Sequence, residues 1–239
     1  MKFTEITKYI TIVLIILSGY SMSFAQTQRI QYRPYADQRI WGFGFTVGIH
    51  AQDLILSHTG FVQPNGEVWH AEIPSYSPGF SVGIIADRYL NEYFNIRAIP
   101  TLYFGDKKFI FREEKTGEET PFTLKNNYLS LPILVKFSAK RVNNYRPYLL
   151  AGVYGNMEIG SKGNQILKLQ KMDYGLQFGI GCSIYLPLFK LSPEIRFSLG
   201  LKDMIEKDRS DLIDKSLLKY TEALSSGKYR MITFTFNFE

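Results

Sequence analysis

A single cysteine, Cys182, stands in the 239 residues. No internal disulfide is therefore possible, and stability must come from hydrogen bonding and packing. After residue 25 no stretch is long and apolar enough for a membrane helix, which needs about 20 residues. A membrane assignment must then rest on strands. Helix-period patterning is scarce. Lys and Arg exceed Asp and Glu by 28 to 22, but they are scattered, and no basic helix or stripe argues for nucleic acid. The histidines are His50, His58 and His70. They lack a metal-ligand spacing and a cysteine partner, so no metal or other cofactor is expected. His50 with Ser57 or Ser77 can be cast as a base and nucleophile, but no third orienting residue is identifiable. Gly175, Gly179 and Gly181 lie within a strand with no helix after them, so they are not a nucleotide loop. Glu113-Glu114 and Glu118-Glu119 read as a solvated loop. Nothing demands catalysis.

The amino end is distinctive. Lys2 and Lys8 precede an apolar run from Tyr9 to Leu17, followed by Gly19, Ser21, Ser23 and Ala25. Residues 1–25 are expected to be a secretory signal peptide cut after Ala25. Residues 26–39, with Arg29, Arg33, Pro34, Asp37 and Arg39, read as an irregular periplasmic leader. The rest, 40–239, fits one domain.

That domain reads as strands. In Tyr229–Glu239, Ile232, Phe234, Phe236 and Phe238 share one face; Met231, Thr233, Thr235 and Asn237 share the other. Alone, this suits either a soluble sandwich or the closing, lipid-facing strand of a barrel. The same alternation marks Ile40–His50, Pro78–Tyr89, Phe94–Phe104, Asn127–Ser138, Met172–Tyr185 and Leu191–Leu201, and less clearly Arg146–Asn156. Gly42, Gly44 and Gly48 are expected to leave room for large lumen side chains. Pro100 is expected to mark a bulge. Long polar connections (51–77, 106–126, 157–171, 202–228) alternate with short turns. The last is expected to hold a short amphipathic helix on Ile213, Leu217, Tyr220 and Leu224.

That alternation decides the fold class: an all-β, eight-stranded antiparallel up-and-down transmembrane β-barrel, with long extracellular loops and short periplasmic turns. Tyr89, Tyr93, Phe94, Tyr145, Tyr148, Tyr185 and Phe189 flank the short turns and read as an aromatic girdle. Cys182 falls on the lipid face. Asp87, Arg97, Lys136, Glu194 and Arg196 fall on inward faces near one end. They are expected to form a buried ionic plug, with Glu194 between Arg97, Lys136 and Arg196, and Asp87 joining. The partners expected from the fold are outer-membrane lipid and lipopolysaccharide.

Several segments carry a family resemblance. They are Gly42-Phe-Gly-Phe-Thr-Val-Gly-Ile49, Tyr89-Leu-Asn-Glu-Tyr-Phe-Asn-Ile-Arg97, Tyr128-Leu-Ser-Leu-Pro-Ile-Leu-Val-Lys136, Arg141-Val-Asn-Asn-Tyr-Arg-Pro-Tyr148 and Tyr185-Leu-Pro-Leu-Phe-Lys-Leu-Ser-Pro-Glu-Ile-Arg-Phe-Ser-Leu-Gly200. With the ending Ile232 to Glu239, they resemble the PorT family of Bacteroidetes outer-membrane proteins. The resemblance implies a component of the type IX secretion system, which exports proteins bearing a carboxy-terminal signal domain and serves gliding motility. It implies other secretion subunits as partners and no catalytic residue. An eight-stranded barrel is filled by its own side chains, so an assembly or accessory role is expected rather than a conduit. A small-solute porin and a lipid-modifying enzyme are the alternatives.

Overall fold

The computed structural model describes residues 30–60, 68–72, 77–114, 117, 119–125, 127–159, 169–207 and 224–239. Residues 31–239 form one compact unit. The expected signal peptide lies outside the described residues. Among the described residues no helix is long and apolar enough to cross a membrane.

The strands are β1 (Trp41–His58), β2 (Trp69–Glu72), β3 (Ser77–Tyr89), β4 (Phe94–Ala98), β5 (Thr101–Phe104), β6 (Asp106–Glu113) and β7 (Glu119–Lys125). They continue with β8 (Tyr128–Ser138), β9 (Tyr145–Glu158), β10 (Met172–Tyr185), β11 (Lys190–Gly200) and β12 (Leu224–Phe238). Nine of them form one antiparallel sheet, with β1 paired to both β3 and β12, so the sheet closes. β4 and β5 are halves of one span, which makes eight crossings.

The period-two pattern sorts the side chains. Phe43, Ile84, Phe178 and Val153 face out and are exposed, while Thr46, Thr101, Thr235 and Gln177 face in and are buried. A soluble core is the reverse of this. The first ion pair across the β1–β12 outer face joins Arg230 to Asp53 at 2.6 Å. Beyond that pair β1 and β12 run on together to His58 and Leu224.

Several expectations need correction. β1 extends eight residues past His50. In this extension Asp53 and Ile55 face out and Leu54 is buried inside, so the alternation of the band continues with a charge added to the outer face. Segments 51–77 and 106–126 are not simple loops: β2, β6 and β7 form a separate three-stranded sheet. Leu224 opens β12 instead of closing a helix; Ile213, Leu217 and Tyr220 lie outside the described residues.

Pro100 marks no bulge. Ala98 pairs Ala86 and Thr101 pairs Gly83, so neither strand carries an extra residue. Pro132, on β8, also lacks an N–H. Ile99 N–H donates to Pro132 O at 3.2 Å, and the Thr101 hydroxyl supplies Ile99 O with a donor at 2.7 Å. The ladder loses bonds here without losing register. At Gly44 the lumen side chain of Glu239 does take the space of a Cβ, as expected, but backbone is the nearer obstacle at both Gly44 and Gly48. A Cβ at either would run into β12 backbone, at Phe238 and Phe234. Close approach of the closing strand is what requires glycine there.

Candidate functional site

The short-turn end of the lumen is filled by charge. β4 turns Arg97 inward, and β3, paired to it, turns Asp87 inward directly opposite. Arg97 Nε and Nη2 reach Asp87 Oδ2 at 2.8 and 2.7 Å. On β11 Glu194 and Arg196 are both inward, and Arg196 Nε lies 3.1 Å from Glu194 Oε1. Arg97 Nη1 stands 3.8 Å from Glu194 Oε2. Arg97 and Arg196 are both 0% exposed and Glu194 1%. Charges so far from water persist only when paired.

Lys136 is inward and buried as well, but it does not meet Glu194. Its Nζ lies 4.2 Å over the Tyr148 ring, and the Tyr148 hydroxyl donates to Glu194 Oε2 at 2.7 Å. Tyr148 thus separates the two, giving the lysine a π-face and the carboxylate a hydrogen bond. Room for this ring exists because position 181 is glycine; a Cβ there would strike it.

Four participants were not foreseen. Glu239 Oε1 accepts from Arg97 Nη2 at 2.8 Å, and Glu239 Oε2 pairs with Lys190 Nζ at 2.7 Å. Asn237 Nδ2 donates to Glu194 Oε2 at 3.0 Å, and Tyr148 completes the set. Position parity had the signal: Lys190 shares the face of Glu194, and Asn237 and Glu239 that of Thr235. Tyr148 and Tyr185 had been expected in the outer girdle. Both are buried and point inward, because 148 and 185 fall on the inward parity of β9 and β10, where Arg97 and Arg141 lie over their rings. Phe94, Tyr145 and Phe189 remain on the exposed rim.

Above the charges, Ile85, Ile99, Leu134 and Leu150 form a dry layer with Tyr148. Higher still, Tyr103 stacks on Tyr128 with centroids 4.9 Å apart, and Tyr128 hydroxyl lies 2.9 Å from Met231 Sδ. At the long-loop mouth Leu169 bridges to Ile205, and Gln170 N–H donates to Met204 O at 2.8 Å. Leu169, Met204 and Ile205 are buried there. The cavity beneath, bounded by Gln52, Asn156, Asp173 and Tyr229, holds about 10 Å³, enough for one water.

The candidate base and nucleophile do not meet. His50 is buried in the lumen, edge-on to Tyr103 at 5.0 Å. Ser57 lies seven residues along the same strand, on the opposite face and roughly 23 Å away at the rise of an extended chain. Ser77 pairs Gln52 rather than His50, and its side chain lies outside the described residues. His70 is 3.6 Å from Glu114 in the outer sheet. No cluster of three metal-ligating side chains occurs among the described residues.

Closed ring, oily exterior and polar interior together describe a membrane barrel. Residues 24–206 match the family model for the outer membrane protein beta-barrel domain. The chain belongs to that family. No curated protein matches it in sequence. Among solved structures, OprG from Pseudomonas aeruginosa is similar at 12% identity, over 82% of this chain and 92% of OprG, with a TM-score of 0.48. Neisserial surface protein A is similar at 14% identity, over 82% and 97%, with a TM-score of 0.43. Ail of Yersinia pestis is similar at 10% identity, over 82% and 96%, with a TM-score of 0.34. Membership of an outer-membrane family gives the exposed aromatics their solvent. Ile232, Phe234 and Phe236 of β12 face lipid, and Phe238 stacks on Phe45 of β1 at 4.8 Å across the closure.

Proposed function

We propose that this outer-membrane barrel is an assembly or accessory subunit of the type IX protein secretion system, and not the conduit for its cargo. The observation that carries the non-conduit part is the filled lumen. Charge, aliphatic packing and stacked tyrosines occupy successive levels, and the long-loop mouth is lidded by Leu169, Met204 and Ile205. The secretion role is supported by the PorT-like motifs of the two turns, Asn143-Asn144-Tyr145-Arg146-Pro147-Tyr148 and Tyr185-Leu-Pro-Leu-Phe-Lys190. By the rule for such barrels, the short turns and both chain ends face the periplasm. A clean deletion should leave carboxy-terminal-signal cargo in the periplasm. Normal delivery of that cargo to the surface would refute the secretion role.

A small-solute porin is the second reading, favoured by the polar inner face. It requires stable single-channel currents from the purified barrel in planar bilayers.

A further inference from the structure

The leader ahead of β1 is tied across the short-turn mouth of the barrel. It departs beside β3, where Tyr89 N–H donates to Ile40 O at 3.0 Å. From there it reaches the opposite wall. The Tyr185 hydroxyl, at the end of β10, donates to Asp37 Oδ1, and Arg146 Nη1 of β9 lies 3.2 Å from Asp37 Oδ2. Tyr32 N–H donates to Asn144 Oδ1 at 2.9 Å, and Arg141 donates to Tyr32 O and, at 3.2 Å, to Arg33 O. Asn144 and Arg141 belong to the turn between β8 and β9. In the order β1-β12-β11-β10-β9, β9 is the fourth strand from β1, which in a ring of eight is the far side. Arg33 Nη1 donates to Glu239 O at 2.9 Å, just past β12.

What the leader meets on the far side are inward side chains: Tyr185 and Arg146 are both buried. Next on the inner faces come Ser183 and Ser192, both buried, with hydroxyls 3.1 Å apart. Glu239, whose main chain Arg33 holds, carries the carboxylate that pairs with Arg97 and Lys190. The leader therefore covers the charge cluster. Its own hold is weak in kind. None of residues 30–40 is buried, and the attachments are hydrogen bonds and the Asp37–Arg146 ion pair. Segments without buried apolar contacts open locally at small cost. Arg33 also has φ +50°, a left-handed backbone that a non-glycine residue keeps only under constraint and that gathers in switch regions. Release relieves it.

We propose that residues 31–40 are a releasable strap that seals the short-turn mouth. Closed, it keeps water from Glu239, Lys190 and Arg97. Open, it admits water as far as the layer of Ile85, Ile99, Leu134 and Leu150, where the barrel stays shut to ions. Ion pairs that lose low-dielectric surroundings are weaker, so release loosens this end of the plug without unfolding the barrel. The inference does not rest on the secretion role.

The test is thiol accessibility in the purified barrel, in a Cys182→Ala background that removes the native thiol. Ser192→Cys places a reporter beneath the strap, and Ser130→Cys places a control beyond the aliphatic layer; both serines are buried. Heat-modifiable migration is checked for each variant, so that only folded barrels are scored. The strap is loosened by Arg33→Ala with Asp37→Ala, which changes leader residues only. Limited trypsin cleavage after Arg39 reports its release. Cleavage, and labelling of Ser192→Cys by a charged methanethiosulfonate, should both rise by about tenfold or more, with Ser130→Cys unchanged. Fast labelling of Ser192→Cys with the strap intact would show an unsealed mouth. Labelling no faster once the strap is cleaved would show that something else does the sealing. Cleavage no faster in the double variant would show that these bonds do not hold the strap. Each of these three results overturns the proposal.

Discussion

Replacing Glu194 with alanine should destabilise the barrel by roughly 3–5 kcal/mol, the usual effect of removing one member of a buried charge set. The structure says why the full range applies. Glu194 is the ion-pair partner that Arg196 has among the described residues, at 3.1 Å, and Arg196 is fully buried. The same carboxylate accepts from Tyr148 at 2.7 Å and Asn237 at 3.0 Å, so truncation also strands two buried donors. Arg97 suffers less, because it keeps Asp87 and Glu239. The comparison is Glu119→Ala, which breaks an exposed pair with Arg112 and should cost about 0–1 kcal/mol. Urea titration of folding into lipid vesicles, read by heat-modifiable migration, measures both. Adding Arg196→Leu to Glu194→Ala should recover part of the loss, since the stranded charge is then gone. Planar-bilayer currents should stay absent, because Tyr148, Arg97 and Asn237 still fill the space. A Glu194→Ala loss no larger than that of Glu119→Ala would refute the reasoning, as would a double variant no more stable than the single.

Phe234→Arg puts a cation midway along the lipid face of β12 and should cost about 2–4 kcal/mol, whereas Thr235→Ser in the lumen should be nearly silent; the yield of heat-modifiable barrel separates them. Phe236→Arg, nearer the short-turn edge, should cost less than Phe234→Arg in the same assay. Gly181→Val should push the Tyr148 ring off Glu194 and lose about 1–3 kcal/mol by overpacking, again read by urea titration. Glu239→Ala should be milder than Glu194→Ala, because Arg97 retains Asp87 and Lys190 is partly exposed.

Within the bilayer the fold was legible from one rule. Lipid outside and a filled lumen inside impose opposite demands on alternate residues, so Phe234 and Thr235 declare their faces without help. Met172–Tyr185 was bounded correctly for this reason, and Pro78–Tyr89 to within one residue. The same parity put Asp87, Arg97, Glu194 and Arg196 on the inner face. It held equally for Lys190 and Glu239, which were overlooked because a turn residue and a chain end do not look like strand interior. Strand β9 was the weak case. Its outward residues include Ala151 and Gly155 and its inward ones Tyr148, Leu150 and Tyr154, so size and polarity no longer separate its faces.

What parity cannot supply is the partner across the lumen and the conduct of the chain outside the membrane. Eight inward faces meet at every level, and the choice of Tyr148, not Lys136, as the neighbour of Glu194 depends on ring length and on the space left at Gly181. Neither is a periodicity. From the Asp53–Arg230 pair onward charge joins the outer face beside Ile55, while Leu54 keeps the inward parity and packs with Ile205 around Gly227. A reader who carries the membrane rule past that level stops β1 at His50, where the hydrogen-bonded ladder in fact continues to His58. The outward Asp53–Arg230 pair marks the approach to the membrane boundary, since an ion pair on the outer face is tolerable only near where lipid gives way to water.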